Sequence, residues 1–208
     1  MSLTPFQIAV AELFFSLPES DGFLLAGGAA LAAQELTRRP TRDLDLFTHV
    51  GRGTVPAARD ALRDAARARG WDVRLLRDGD SFCRLVIAGP EDLLVDLAVD
   101  APPSTPSATS SVGPTFGLEE LAGRKLIALF DRAEARDFAD VYALAQRFGT
   151  HTLLEQAAEI DAGFDPAVLA AMIGTLDRFS DDEIPIDQNS TGPLRAFFRS
   201  WQQELGRR

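Results

Sequence analysis

The sequence predicts an α+β protein in which a small mixed sheet with flanking helices is followed by an all-helical part. Three observations lead to this prediction. Strand and helix patterns alternate over residues 1–100, a stretch rich in proline, serine and threonine follows at 101–117, and only helical patterns occupy 118–208. We therefore expect a core domain over 1–100, a linker or surface loop over 101–117, and a helical C-terminal region, 118–208, packed on the core.

The first elements of the core domain alternate between helix and strand. Residues 4–17 carry apolar side chains at helical spacing, and Thr4 before Pro5 is typical of a helix start. Residues 23–28 (FLLAGG) predict a short buried strand that ends in two glycines. Residues 29–36 are strong helix formers, so a helix is expected directly after those glycines.

The next segment, DLDLFTHV at 43–50, alternates polar and apolar residues, as a strand with one buried face does. A proline at its start and a glycine at its end frame a helix over 56–69. The remaining elements follow from the same two periodicities. They are strands over 71–77, 81–88 and 93–100, and helices over 118–132, 136–149, 151–160, 165–179 and 193–205.

Composition excludes several classes of protein. The 208 residues are 46% hydrophobic and 25% charged, which is typical of globular proteins and not of disordered ones. The longest apolar stretch, 23–33, is shorter than the ~20 residues of a membrane span. The N-terminus does not resemble a signal peptide, so we expect a cytoplasmic protein without a membrane partner. Cys83 is the single cysteine, which excludes an intramolecular disulfide and a cysteine-based zinc cluster.

Charge is distributed unevenly along the chain. The formal net charge of −10 argues against a general affinity for polyanions. Residues 38–74, however, hold nine arginines against five acids, whereas residues 151–190 hold nine acids and one arginine. A nucleic-acid partner would therefore need a local basic patch, although arginines of the helix over 56–69 are also typical of an ordinary solvated face.

Two features near residue 40 suggest a phosphate and metal site. Gly27 and Gly28 lie between a strand and a helix, where a bare backbone can approach a phosphate closely. Asp43 and Asp45 flank Leu44 in the alternating strand, so both carboxylates are expected on one face. Two like charges on one face favour a cation between them, and carboxylate oxygens suit Mg²⁺ or Mn²⁺. A solvent-facing pair at a strand end is the alternative.

Asp96 is a candidate for a third carboxylate in this cluster. It interrupts the apolar strand LLVDLAVD, and an acid within a strand needs a partner. If that strand pairs beside the one that carries Asp45, Asp96 completes the cluster. Asp100, on the same face, is the rival candidate, but it lies at the strand end.

Two blocks of the sequence resemble a known family. Residues 23–47, FLLAGGAALAAQELTRRPTRDLDLF, are similar to the glycine–glycine and Asp-x-Asp signature of the polymerase-beta-like nucleotidyltransferase superfamily. Within that superfamily they resemble the AbiEii/AbiGii abortive-infection toxin branch. Residues 122–144 resemble a later motif of the same branch. That motif is carried here by Lys125, Ala128, Leu129, Arg132, Arg136, Asp137, Phe138, Asp140, Val141 and Tyr142.

The resemblance implies a polymerase-beta-like core and a magnesium-dependent transfer of a nucleoside monophosphate from an NTP to an acceptor, with release of pyrophosphate. It further implies the toxin of a type IV toxin–antitoxin pair, with a cognate antitoxin and a tRNA or protein acceptor. The resemblance also implies roles for ten residues. Gly27, Gly28, Thr41 and Arg42 bind the nucleotide, Asp43 and Asp45 bind the metal, Asp96 is a third ligand or the base, Lys125 neutralises phosphate charge, and Asp137 and Asp140 assist in nucleotide binding.

The chain departs from the superfamily in having Gly-Gly where Gly-Ser is frequent, and its acidic C-terminal region argues against a large RNA-binding surface. Two alternative functions stay open. One is a nucleotide-binding or interaction module without turnover. The other is a small-molecule nucleotidyltransferase of the aminoglycoside-modifying kind, for which an acidic surface would attract a cationic substrate.

Overall fold

The structure is a computed structural model that describes residues 3–207. The chain forms two compact units, which divide between Gly117 and Leu118. The N-terminal unit contains the strands and three helices, and the C-terminal unit is helical, so the predicted α+β class is confirmed.

The helices and strands have the following bounds. The helices are α1 (Pro5–Phe15), α2 (Gly27–Ala33), α3 (Val55–Ala68), α4 (Leu118–Asp131), α5 (Ala135–Ile160), α6 (Pro166–Ile173) and α7 (Gln188–Leu205). The strands are β1 (Leu24–Ala26), β2 (Asp43–Thr48), β3 (Asp72–Arg77), β4 (Phe82–Ala88), β5 (Asp92–Val99), β6 (Ala108–Ser110) and β7 (Gly113–Thr115). Short 3₁₀ turns occupy Pro18–Ser20, Gly174–Arg178 and Asp181–Glu183.

The strands form one mixed sheet in the order β3-β4-β5-β2-β1-β7-β6. The central strand β2 runs parallel to β5 and antiparallel to β1. Strands β3, β4 and β5 form an antiparallel meander on one side. Residues 101–117, for which the sequence predicts a linker or surface loop, contribute the short strands β6 and β7 to the other side.

One face of the central strands is buried. Leu44, Leu46, Val95, Leu97 and Leu85 are each fully buried, and they alternate along β2, β5 and β4 with the residues of the other face. Helix α3 contacts β3, β4 and β5, and helix α1 contacts β2. Burial of each such side chain stabilises the fold by about 1.5–3 kcal/mol, and it determines which residues are left to the opposite face.

The C-terminal unit is built around the pair α4 and α5, with α6 and α7 beside them. Helix α5 passes through a non-helical residue at Gly149, which is where the sequence patterns predict the end of one helix. The aromatic residues of α7 pack within the unit: Phe198 lies edge-on to Phe138 at 5.1 Å, and Trp201 is 2% exposed. Among residues 3–207, no helix combines the length and apolar character that a membrane crossing requires.

Candidate functional site

Strand β2 carries the two predicted metal-binding carboxylates on one face. Asp43 and Asp45 are half-buried, whereas Leu44 and Leu46, the residues that follow each of them, are fully buried. The alternation predicted from the sequence is therefore present. Because the apolar residues hold one face of β2 in the core, both carboxylates are presented on the other face.

Gly27 brings the backbone against Asp45. Ala26, at the end of β1, is the register partner of Asp45 on β2, and Gly27 follows with a φ of +60° as the first residue of α2. A Cβ atom at Gly27 would overlap the carboxylate of Asp45. At Gly28 a Cβ atom would lie 2.8 Å from the Oγ1 of Thr41. The two glycines therefore allow a backbone approach that a side chain would prevent.

A short chain of hydrogen bonds orients Asp43. The Thr41 hydroxyl donates to Asp43 Oδ1 at 2.9 Å. The buried side chain of Gln7 on α1 donates through Nε2 to the Thr41 carbonyl, also at 2.9 Å. Gln7 of helix α1 thus holds the backbone at Thr41, and Thr41 in turn orients the carboxylate of Asp43. The side chain of Arg42, between Thr41 and Asp43, is exposed to solvent.

Asp96 lies beside Asp45, as predicted for a third carboxylate, because β5 pairs with β2 and the two residues are register partners. Its carboxylate, however, is engaged. Arg84 on β4 donates to Asp96 through Nε at 2.7 Å and through Nη2 at 2.6 Å. The rival, Asp100, lies after the end of β5, where its carboxylate accepts from the backbone N–H of Ala101.

The metal that the sequence predicts would find Asp43 and Asp45 on one strand, whereas Asp96 on the neighbouring strand is bound to Arg84. Within residues 3–207, no three or more His, Cys, Asp or Glu side chains are grouped as a metal site. Asp43 and Asp45 nevertheless fit a hard cation, because Mg²⁺ in such proteins is often held by one or two carboxylates together with substrate phosphates. The overlap that a Cβ atom would make at Gly27 shows that the backbone there lies directly against the carboxylate of Asp45.

In the C-terminal unit, Lys125, Asp137 and Asp140 form a buried ion network. Lys125 Nζ lies 3.0 Å from Asp140 Oδ2 and 3.5 Å from Asp137 Oδ1. Lys125 is 7% exposed, and both aspartates are fully buried. Arg132 completes the network with a bidentate contact to Asp137, from Nε at 2.9 Å and from Nη2 at 3.0 Å.

The charges in this network determine how Asp137 ionises. Burial acts to raise the pKa of Asp137, but the hydrogen bonds from Arg132 and the positive charge of Lys125 outweigh it. The pKa of Asp137 therefore lies below its ordinary value. Asp137 also accepts from the backbone N–H of Glu134 at 3.2 Å, which caps the start of α5. The later sequence motif is thus a structural junction between α4 and α5 as well as a candidate nucleotide site.

Sequence reasoning missed Arg84. Its only signal is that Arg84 lies between Cys83 and Leu85, two buried residues of one strand, and therefore shares the opposite face with Phe82. That pattern puts Arg84 on the exposed face, but it does not indicate the acid with which Arg84 pairs.

Comparisons with known proteins agree with this fold. Residues 10–204 match the family model described as "Nucleotidyl transferase AbiEii toxin, Type IV TA system". No curated protein matches the chain.

Solved structures from two bacteria share the fold. JHP933 from Helicobacter pylori is 19% identical with a TM-score of 0.59, and the match covers 97% of this chain and 92% of that one. MenT4, a nucleotidyltransferase toxin from Mycobacterium tuberculosis H37Rv, is 16% identical with a TM-score of 0.60, over 96% of this chain and 82% of that one. Since the family model spans nearly the whole sequence, the chain belongs to the family of AbiEii nucleotidyltransferase toxins of type IV toxin–antitoxin systems.

Proposed function

We propose that this nucleotidyltransferase moves a nucleoside monophosphate from an NTP to an acceptor hydroxyl in a reaction that depends on Mg²⁺ or Mn²⁺. As the toxin of a type IV pair, it would modify a tRNA or a protein and would be countered by a cognate antitoxin. The observation that carries the proposal is the pair Asp43 and Asp45, held on one face of β2 against the bare backbone of Gly27.

Each residue of this face is assigned a role in the proposed reaction that matches its chemistry. Asp43 and Asp45 are the metal ligands, and Gly27 and Gly28 admit the triphosphate, with Thr41 orienting Asp43 and the exposed Arg42 beside it. A bound divalent cation would supply electrostatic stabilisation of the charge that develops on the phosphate oxygens.

In the reaction itself, the acceptor hydroxyl oxygen bonds to the α-phosphorus and the bond to the bridging oxygen breaks, so pyrophosphate leaves. The hydroxyl proton passes to a base or to solvent. Catalysis of this kind is mainly positioning and charge stabilisation, which rigid carboxylates on a sheet provide.

The roles of the Lys125 group and of Asp96 are further predictions of this proposal. Lys125 is expected to neutralise phosphate charge, with Asp137 and Asp140 assisting, yet in the C-terminal unit these three side chains also hold one another. Asp96 is expected to be a third metal ligand or the base, yet both of its carboxylate oxygens accept hydrogen bonds from Arg84.

The decisive experiment follows transfer from NTPs labelled at the α-phosphate, with Mg²⁺, to bulk tRNA, to cellular protein and to aminoglycosides. We expect wild type to label tRNA or protein, and Asp45→Asn to lower the rate at least about 100-fold, since it removes several kcal/mol of charge stabilisation. Asp92→Asn is the matched control, because Asp92 is an exposed acid at the start of β5 that pairs with Arg74.

The other outcomes separate the alternatives. Nucleotide binding without any labelled product would indicate a binding module, and a labelled aminoglycoside alone would indicate a small-molecule enzyme. Equal rates for Asp45→Asn and wild type would contradict the proposed metal ligands.

A further inference from the structure

Arg84 lies in a row of charged residues that crosses the sheet. Arg84 on β4 is the register partner of Asp96 on β5, and Asp96 is the register partner of Asp45 on β2. Register partners on neighbouring strands present their side chains on the same face. The face that carries Asp45 therefore presents, strand by strand, a carboxylate, a second carboxylate and a guanidinium.

The guanidinium of Arg84 is fixed from two sides. Asp96 holds its Nε and Nη2 edge with both carboxylate oxygens, and the ring of Phe82 lies 5.7 Å from its Cζ. The hydrogen bonds from Asp96 raise the pKa of Arg84 above its ordinary value, and the negative charges of Asp45 and Asp43 add to this effect. Arg84 is therefore an immobilised cation within the electrostatic reach of the proposed metal ligands.

Burial differs sharply between the two members of this ion pair. The Asp96 side chain is 9% exposed, whereas the Arg84 side chain is 44% exposed. The ion pair uses one edge of the guanidinium and leaves the Nη1 end outside the contact. A buried acid holds this arginine in place, and part of its guanidinium group faces solvent. Such an arginine suits a planar contact with a phosphate.

We propose that Arg84 binds a phosphate group of the reactants and that Asp96 acts as its positioning residue and not as a metal ligand. This inference rests on the proposed function. A metal bound to Asp96 would have to share a largely buried carboxylate with the positively charged guanidinium of Arg84, which already makes a short hydrogen bond to each oxygen.

The phosphate has two possible sources. In the sheet order β4-β5-β2-β1, the glycines follow β1 on one side of Asp45, and Arg84 lies two strands away on the other side. Arg84 can therefore meet either a phosphate of the NTP that extends across the face or a phosphate of an RNA acceptor that approaches from the β4 side. Both sources offer the same chemistry to the guanidinium.

The test measures binding and does not depend on turnover. Non-hydrolysable analogues of the four NTPs are titrated with Mg²⁺ by calorimetry, and bulk tRNA is titrated by fluorescence anisotropy. We expect Arg84→Gln to weaken one of the two about tenfold or more, as loss of a charged hydrogen bond does, and Arg84→Lys to give an intermediate value. Weaker analogue binding assigns the phosphate to the nucleotide, and weaker tRNA binding assigns it to the acceptor.

Arg74→Gln is the matched control, because Arg74 on β3 is another sheet arginine in an ion pair, with the exposed Asp92. Asp96→Asn is expected to weaken the same ligand as Arg84→Gln, and the double variant should be no weaker than Arg84→Gln alone. Mn²⁺ binding, measured with the metal alone, should be retained in Asp96→Asn and lost in Asp45→Asn. Should Asp96→Asn fail to fold, the Arg84 series carries the test by itself.

Several results would overturn the inference. The first is that Arg84→Gln matches Arg74→Gln for both ligands, and the second is that Asp96→Asn loses Mn²⁺ as completely as Asp45→Asn does. If wild type binds analogue and Asp45→Asn does not, either result removes only the role of Arg84 and Asp96. If wild type binds no analogue and transfers no nucleotide, the proposed function fails as well.

Discussion

The sheet face of the N-terminal unit and the α4–α5 junction of the C-terminal unit each contain a pair of aspartates. The two pairs differ in burial and in the groups that contact them. On the sheet, Asp43 and Asp45 are half-buried, and a neutral hydroxyl, that of Thr41, orients Asp43. At the junction, Asp137 and Asp140 are fully buried, and Lys125 and Arg132 lie in direct contact with them.

This difference separates a half-exposed carboxylate pair, which a metal ion from solvent can reach, from a fully buried ion network. Like charges that share an accessible face favour a metal ion, whereas removing one member of a buried ion network is strongly destabilising. The two motifs that carry the family resemblance are therefore expected to respond differently to substitution.

The largest contrast is expected between Lys125→Met and Asp43→Asn. Removing Lys125 takes a cation away from two buried carboxylates, which costs about 3–5 kcal/mol in the free energy of unfolding. Asn at position 43 can still accept from Thr41, so that change should cost under about 1 kcal/mol while abolishing transfer. Urea unfolding, followed in a Trp71→Phe background through the fluorescence of Trp201, reports the C-terminal unit, and far-UV circular dichroism follows Asp43→Asn.

A Lys125→Met variant that unfolds like wild type but transfers no nucleotide would reverse this assignment. Lys125 would then serve the phosphates first, as the sequence resemblance implies, and the ion network would be secondary.

The junction should also be sensitive to acid. The pKa of Asp137 is lower in the folded state than its unfolded value of about 3.9, so its contribution is fully present above that pH. The contribution is lost as the pH falls through the folded pKa. Wild-type stability, measured by urea unfolding from pH 7 downward, should therefore fall more steeply toward acid than that of Asp137→Asn.

Asp131 is a suitable control because its pKa is shifted in the opposite direction to that of Asp137. Partial desolvation first, and then the charge of Asp161, raise the pKa of the exposed Asp131 above its ordinary value. Its ionisation therefore opposes folding, and Asp131→Asn should slightly stabilise the protein at neutral pH. Equal acid profiles for wild type and Asp137→Asn would show that the network does not depend on this carboxylate.

Local periodicity is what the sequence predicts well in this molecule. Because a strand turns its side chains with a period of two, DLDLF places Asp43 and Asp45 together and Leu44 and Leu46 in the core before any tertiary contact is known. The break at Gly149 and the helices that flank it follow from equally local signals.

Features that depend on strand pairing are harder to predict. The ion pair between Asp96 and Arg84 depends on the register of β4 against β5, which turn residues suggest but do not determine. Strands β6 and β7 have three residues each, too few for an alternating pattern, so their segment is indistinguishable from a loop in the sequence.

Gly27 offers a sharper test of the sheet face. With a φ of +60° and no space for a Cβ atom beside Asp45, Gly27→Ala should destabilise the protein by about 1–3 kcal/mol and displace that carboxylate. Gly70→Ala is matched, since Gly70 has a φ of +77° but nothing within 4 Å of a Cβ atom, so it should cost about 1 kcal/mol and leave transfer unchanged. Thermal unfolding and the labelled-NTP assay measure both, and equal losses of transfer would show that the close approach to Asp45 is irrelevant.

The smallest effect is expected at Thr41, whose hydroxyl is a neutral hydrogen-bond donor to a carboxylate of the sheet face. Thr41→Val removes the hydroxyl that donates to Asp43 Oδ1 but keeps the shape of the side chain. Because Asp43 is half-exposed and water can replace the donor, we expect a loss of about 1 kcal/mol, which is about a fivefold decrease in transfer. Thr41→Ser keeps the hydroxyl and should restore the rate. If valine and serine behave alike, the hydrogen bond from Thr41 does not contribute to the orientation of Asp43 that transfer requires.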